Sequence, residues 1–243
     1  MILLNCTVKN NKNLIYMTKQ AGILTIICFL LAFSVSGQES TFTKFAGISF
    51  GSSIPKTDLE PTYKKPGIQL SAYLQFIPNR WLNVGLWFSS GEVMSENREV
   101  RFFDQTEFQI NDFARTTYQS LHVEPSFHFL KKPNYSLYLS QGFGFMRFAV
   151  YDRDNNDLIN QLDSRAPGEE YSNFTVLLPT TLNVFYFFPN DFGLHVRTGF
   201  LNPQTDYLDN ISNFGNPDNN DNLFILQLSI IKRFKLKNSE YEK

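Results

Sequence analysis

Residues 67–92 read GIQLSAYLQFIPNRWLNVGLWFSSGE. Ile68, Leu70, Ala72, Leu74 and Phe76 alternate with Gln69, Ser71, Tyr73 and Gln75. After the Pro78-Asn79 turn, Leu82, Val84, Leu86 and Phe88 alternate with Asn83, Gly85, Trp87 and Ser89. Side chains of a strand point to opposite faces with a period of two, so this is a hairpin whose strands each carry one greasy and one wet side. The fold depends on which side faces inward.

The same pattern recurs along the chain, bounded by Pro, Asn, Asp and Gly, and no helical period of any length appears. The predicted strands lie near Phe45–Ser53, Gly67–Phe76, Trp81–Ser90, Thr117–Leu130, Tyr135–Phe148, Ser172–Phe188, Phe192–Phe200 and Leu223–Phe234. Their connections alternate: IPNRW, LKKPNY and FPNDF are tight, whereas 53–66, 91–116, 149–171 and 201–222 are long. Short turns on one rim and long loops on the other are the layout of an outer-membrane barrel, with both termini on the periplasmic side. The expected fold is all-β, an eight-stranded antiparallel up-and-down transmembrane β-barrel in the bacterial outer membrane.

The aromatic residues test this independently, because a lipid-facing surface carries aromatic girdles at its two edges. On the apolar parity, Phe76, Trp81, Phe129, Tyr135, Phe188, Phe192 and Phe234 fall beside the short turns. Phe88, Phe145, Phe174, Phe200 and Phe224 fall at the opposite strand ends, and Leu70, Leu86, Val123, Leu139, Val176, Val196 and Leu228 lie between. The other parity supplies Gln69, Ser71, Gln75, Asn83, Ser120, His122, Glu124, Ser140, Asn183, His195, Arg197, Gln227 and Ser229. A soluble barrel would turn the apolar face inward and would give aromatics no reason to gather at both strand ends. The greasy side is therefore expected outside and the wet side inside.

The N-terminus reads as a leader. Met17-Thr-Lys-Gln is followed by an uncharged apolar run from Ile23 to Val35, about a dozen residues, too short for a membrane helix and suited to a secretory signal. Residues 1–16 look like a false-start extension, 17–37 a signal peptide cleaved before Gln38, 38–43 a short tail, 44–234 the barrel and 235–243 a periplasmic tail. Cys6 and Cys28 would leave with the leader, so no thiol or disulfide chemistry is expected. Beyond the leader no apolar run approaches the roughly 20 residues of a membrane helix. The 25 phenylalanines of this chain must nevertheless meet something other than water.

Charge is sided. The three longest loops hold sixteen acids against five bases, Arg98, Arg101, Arg115, Arg153 and Arg165. Lys44, Arg80, Lys131, Lys132, Lys232, Arg233, Lys235 and Lys237 gather near the short turns. A net charge of −1 thus hides an acidic outer end and a basic inner one.

Some groupings could carry chemistry. Ser120, His122 and Glu124 place a hydroxyl, an imidazole and a carboxylate on one lumenal face, the residue types of a lipid hydrolase. Alternate residues of a strand stand about 7 Å apart, however, too far for a relay along one strand. The competing reading is a side-chain-filled bore in which each buried charge needs a partner. Glu124 and Arg197 stand similar distances above their tight turns, so they should share one depth and form a lumenal ion-pair network with His122 and His195. Asp152, Asp154 and Asn156 echo the first oxygens of a calcium loop, but Asp157 and Asp163 stand where that loop has Gly and Glu. A weak divalent-cation contact there competes with an ordinary acidic loop tip. No phosphate-binding glycine loop, zinc spacing or nucleic-acid surface is visible, and no cofactor is expected.

The segments KPGIQLSAYLQFIPNRWLNVGLWFSSGE, YLSQGFGFMRF, EEYSNFTVLLPTTLNVFYFF and NPQTDYLDNIS, in that order, resemble small outer-membrane barrels of Bacteroidota. The pattern is similar to the OmpA/OmpX-like group and looks closest to the PorG-like barrel of the type IX secretion system. Thr205–Ser212 is its most specific part. The PorG-like resemblance implies a barrel docked on periplasmic ring subunits of the secretion machine. An OmpA-like chain would continue into a wall-binding domain, which nine residues after Phe234 do not supply. The function expected is a non-enzymatic structural or interaction protein contacting outer-membrane lipid and lipopolysaccharide. Alternatives are a small-solute porin or, less favoured, a lipid hydrolase using Ser120, His122 and Glu124.

Overall fold

The computed structural model describes residues 43–59, 66–77, 82–96, 111–160, 172–211 and 220–235. The predicted leader, both tails beyond these limits and Trp81 lie outside the described residues. No helix among them is long and apolar enough to cross a membrane.

The strands are β1 (Thr43–Lys56), β2 (Gly67–Ile77), β3 (Leu82–Glu96), β4 (Phe113–Lys131), β5 (Tyr135–Gln141), β6 (Phe143–Tyr151), β7 (Phe174–Leu177), β8 (Thr180–Phe187), β9 (Phe192–Phe200) and β10 (Asn222–Lys235). Every pairing is antiparallel, and the sheet closes because β3 pairs with β4 while β1 pairs with β10. Lys44 faces Phe234 and Pro55 faces Leu223 along that seam. β5 and β6 both pair with β4, and β5–β8 and β6–β7 run side by side, so these four segments form two broken staves and the ring has eight.

Both breaks lie at one point. Pro179 has no N–H to give a ladder, and its carbonyl instead accepts the Gly142 N–H at 2.7 Å. A Cβ on Gly142 would stand 2.9 Å from the Glu124 side chain and 3.1 Å from the Pro179 ring. Past the break, residues 202–204 take over the edge of β7: Leu178 N–H donates to Asn202 O at 3.1 Å and Gln204 N–H to Val176 O at 2.8 Å. Gly199 makes the approach to this crossing, with φ of 151° and no room for a Cβ, which would lie 2.2 Å from Thr180 O.

Leu70, Leu86, Val123, Leu139, Val196 and Leu228 are all exposed on the outside. So are Phe129, Tyr135, Phe188, Phe192 and Phe234 at the short-turn end, with Phe88, Phe145, Phe174 and Phe200 at the long-loop end; Phe76 and Phe224 are half-buried. The opposite parity is buried. An inside-out barrel of this kind offers hydrocarbon, not water, a surface it can tolerate.

The bore differs from a uniformly hydrophilic filling. At the short-turn end Phe45, Tyr73, Trp87, Tyr138, Phe185, Phe187 and Ile231 form an aromatic floor. At the long-loop end Leu59, Val93, Tyr118, Met146, Phe148, Leu208, Ile211 and Leu223 belong to an apolar roof. Polar side chains dominate the middle, with a few more at either end, such as His128 and Ser136 below and Thr116, Asp209 and Asp221 above. An eight-stranded ring has just enough interior for side chains, and where loops fold inward the packing excludes water as any core does.

Candidate functional site

The middle layer is built by β2, β3, β4, β8, β9 and β10. Arg197, fully buried, donates to Glu124 Oε1, and its Nη1 donates to Gln227 Oε1 at 3.1 Å. Its guanidinium carbon stands over the Trp87 indole, 4.0 Å from the ring centroid, and Trp87 stacks on Tyr73 with centroids 3.8 Å apart. His122 Nε2 stands 3.1 Å from the same Glu124 oxygen. Gln227 Nε2 continues to Ser71 Oγ at 2.7 Å, and Ser71 to Ser89 at 2.9 Å. Buried charge of this sort persists only where attraction and hydrogen bonds offset its desolvation, and here the cation is paired, hydrogen-bonded and stacked.

The structure thus brings Glu124, Arg197 and His122 together. His195 lies nearer the short turns and joins a separate set: Tyr73 Oη is 2.6 Å from its Nδ1, and Tyr138 Oη and Asn183 Oδ1 are each 3.2 Å from its Nε2. Asn183 and Thr181 link the two sets, since Asn183 Nδ2 donates to Thr181 Oγ1 at 3.0 Å and Thr181 Oγ1 to Glu124 Oε2 at 3.4 Å. Ser120 Oγ has no hydrogen-bond partner among the described residues, and His122 turns Nε2 to Glu124 and Arg197. Buried beneath the roof, Ser120, His122 and Glu124 do not form a nucleophile–base relay, which needs the hydroxyl on the imidazole.

The roof is closed by residues 201–211, the segment between β9 and β10. Asp209 accepts the N–H groups of Leu59 at 2.8 Å and Ile211 at 3.0 Å, and Asp221 accepts that of Leu208 at 2.7 Å. Asn111 Nδ2 donates to Asp209 O at 2.7 Å, and Thr116 Oγ1 to Leu208 O. The loop is therefore tied to the outer ends of β1, β4 and β10 while Leu208 and Ile211 point into the apolar roof. Burial pushes the Asp209 carboxyl up to about 7, with the charge of Asp58 adding to it and the Leu59 and Ile211 N–H groups opposing. Burial, then the neighbouring Asp209 and Asp206, push Asp221 well above the carboxylate range.

At the outer tip, Asp152 accepts the N–H groups of Asp154 and Asn156 and the Asn156 side-chain amide, each at 2.8 Å. These bonds hold its carboxyl below its ordinary range, the Asn156 side chain first. The tip is thus an Asx turn closed on itself. Among the described residues no group of three or more His, Cys, Asp or Glu is arranged to hold a metal ion. Nearby, Arg153 bridges Glu96 at 3.0 Å and Asp112 at 3.1 Å, fastening this tip to the β3–β4 hairpin.

The aromatic floor and the Trp87 stack are the residues that parity reading passes over. Their signal is present: Phe185 and Phe187 alternate with the outward Tyr186 and Phe188, so aromatics stand on both faces at once and the parity becomes ambiguous there.

No protein-family model matches the chain, and no curated protein matches it. Among solved structures, Neisserial surface protein A is similar over 80% of this chain and 98% of its own, at 11% identity and a TM-score of 0.50. The attachment invasion locus protein Ail of Yersinia pestis, in complex with the heparin analogue sucrose octasulfate, is similar over 80% of this chain and 100% of its own, at 14% identity and a TM-score of 0.48. The N-terminal β-barrel domain of Pseudomonas aeruginosa OprF covers 77% of this chain and 97% of its own, at 9% identity and a TM-score of 0.38. The likeness to Neisserial surface protein A, at 11% identity, is likeness of fold, and with the outward apolar band it shows that this chain has the fold of small outer-membrane β-barrels.

Proposed function

We propose that the protein is a non-catalytic outer-membrane barrel that passes no solute and works through its surfaces, as a structural or docking element. The observation that carries this is the bore: an aromatic floor, an ion-paired middle and an apolar roof follow one another from end to end. A diffusion channel needs a continuous wet path, and eight strands do not leave one once side chains are packed. The short turns and both barrel ends, Thr43 and Lys235, face the periplasm in this reading, and the long acidic loops face outward. Reconstituted in planar bilayers, the protein should give no single-channel conductance above leak; discrete steps would refute the reading.

The finer role we infer is that of an accessory of the type IX secretion system in a bacterium of the Bacteroidota. It rests on the resemblance carried by NPQTDYLDNIS and the preceding segments, and is supported by a basic short-turn end, where Lys132 and Lys232 are exposed. Pull-down from solubilised envelopes is expected to bring periplasmic ring subunits with the tagged barrel. Recovery of the barrel alone would leave the general reading and remove this one.

A further inference from the structure

The lipid-facing wall is uneven on one side. Across β2, β1 and β10, Ala72, Ile48 and Ile230 share one row, and Leu74, Ala46 and Lys232 the next row toward the short turns. Ala46 and Ala72 are small where every neighbour is large, so the wall is dented. The dent is an open groove of about 810 Å³ lined almost wholly by apolar surface, with Phe50, Leu70, Leu228 and Phe192 around it, a volume within the roughly 300–1,000 Å³ of ligand sites. Ile48 and Ile230 rise beside it, 72% and 67% exposed, more than any other large apolar residue described.

The groove ends in charge. Lys232 lines it beside Ala46, and Lys44 lies one row further toward the short turns on the strand of Ala46. Each ammonium rests near a girdle ring: Lys44 Nζ is 5.3 Å from the Phe76 centroid and Lys232 Nζ 5.1 Å from that of Phe192. The aromatic girdle marks the headgroup level of a bilayer, where lysines reach for phosphate while their stems stay in the apolar zone.

We propose that this groove is a site for one glycerophospholipid of the periplasmic leaflet, its phosphate held between Lys44 and Lys232 and an acyl chain laid over Ala46 and Ala72 beside Ile48. In hydrocarbon, association is decided by fit and dispersion, because apolar surface gains nothing from merely leaving lipid. A groove beside protruding branched side chains supplies that fit. A second copy of the chain is a poorer occupant. A two-fold axis along the membrane normal would bring this face against itself at equal depth, setting lysine pair against lysine pair.

The inference rests on the membrane placement and orientation proposed above. The test is native mass spectrometry of the purified barrel in detergent, titrated with palmitoyl-oleoyl phosphatidylglycerol and, separately, with the uncharged palmitoyl-oleoyl glycerol. The expected result is one saturable phosphatidylglycerol adduct, weakened about thirtyfold in K44Q/K232Q, weakened also in Ala46→Phe, and unchanged in Val123→Phe on β4, across the ring from the groove. The uncharged lipid binds weakly and is indifferent to the lysine changes. A statistical ladder of adducts that ignores these substitutions overturns the proposal, as does a protein dimer that Ala46→Phe abolishes. A barrel that binds this lipid but conducts refutes the closed-bore function alone, and a silent barrel that does not bind it refutes this site alone.

Discussion

Arg197 shows what one residue does inside a closed ring. It meets a carboxylate, an amide oxygen and an indole face at once, so replacing it leaves the buried Glu124 with only His122 and the Thr181 hydroxyl beside it. Arg197→Met should destabilise the barrel by about 3–5 kcal/mol, whereas the double change E124L/R197M should recover most of that loss, because two apolar groups of similar size need no partners. Equilibrium unfolding by urea in micelles measures both, and a double variant as weak as the single one would contradict the account. Glu124 and Arg197 could be set at one depth by counting from the tight turns, and they touch. The placing of His195 could not: neighbouring strands are staggered by the shear of the barrel, and parity alone carries no information on that stagger. The parity of β3 turns Trp87 inward, as found, but says nothing of its stacking between Tyr73 and Arg197.

Among the elements, the strands were the legible part, because a half-buried surface stamps a period of two on every stave. The breaks at Gly142 and at Leu178–Pro179 were not, although both residues stand in plain sight: what they do depends on their meeting across β5–β8. Nor was the folding of residues 201–211 into the mouth, since Leu208 and Ile211 lie among the acids and amides of an ordinary loop. That segment should respond to pH. In the unfolded chain the Asp209 carboxyl titrates near 3.8, while in the fold it holds its proton to about 7, so between those values the folded state binds more protons. Stability from this group is then complete below the lower value, falls as pH rises through the interval and levels off above it. Asp221 acts in the same sense, with Asp58 and Asp206 facing the pair. Hydrogen exchange of the Leu208 and Ile211 amides, corrected for intrinsic rate, should be slower at pH 5 than at pH 8, and Asp209→Asn should flatten the difference. Equal protection at both pH values in the unaltered protein would show that the loop is held by packing alone.

For the whole molecule, the three fillings of the bore lie in series. Removing one leaves the others, so deletion of residues 205–211 should leave the barrel silent in planar bilayers, and so should Trp87→Ala by itself. Conductance from either variant would mean that a single layer carries the seal. Which surfaces then act is decided by the wall and the two ends rather than by the interior. The seam between β1 and β10 has a further consequence, for how the protein comes to be in the membrane. It joins the two extremities of the described barrel, and Arg233 just inside the last strand holds Asp191 at 2.9 Å and Pro133 O at 3.0 Å, fastening β10 to two earlier hairpins. The seam itself can close only when every other stave is already placed. Until then both flanks of the sheet would offer unpaired amides to hydrocarbon, which costs several kcal/mol for each group. Partial insertion is therefore the least favourable state open to the chain, and assembly must shelter the two edges until the first strand finds the last.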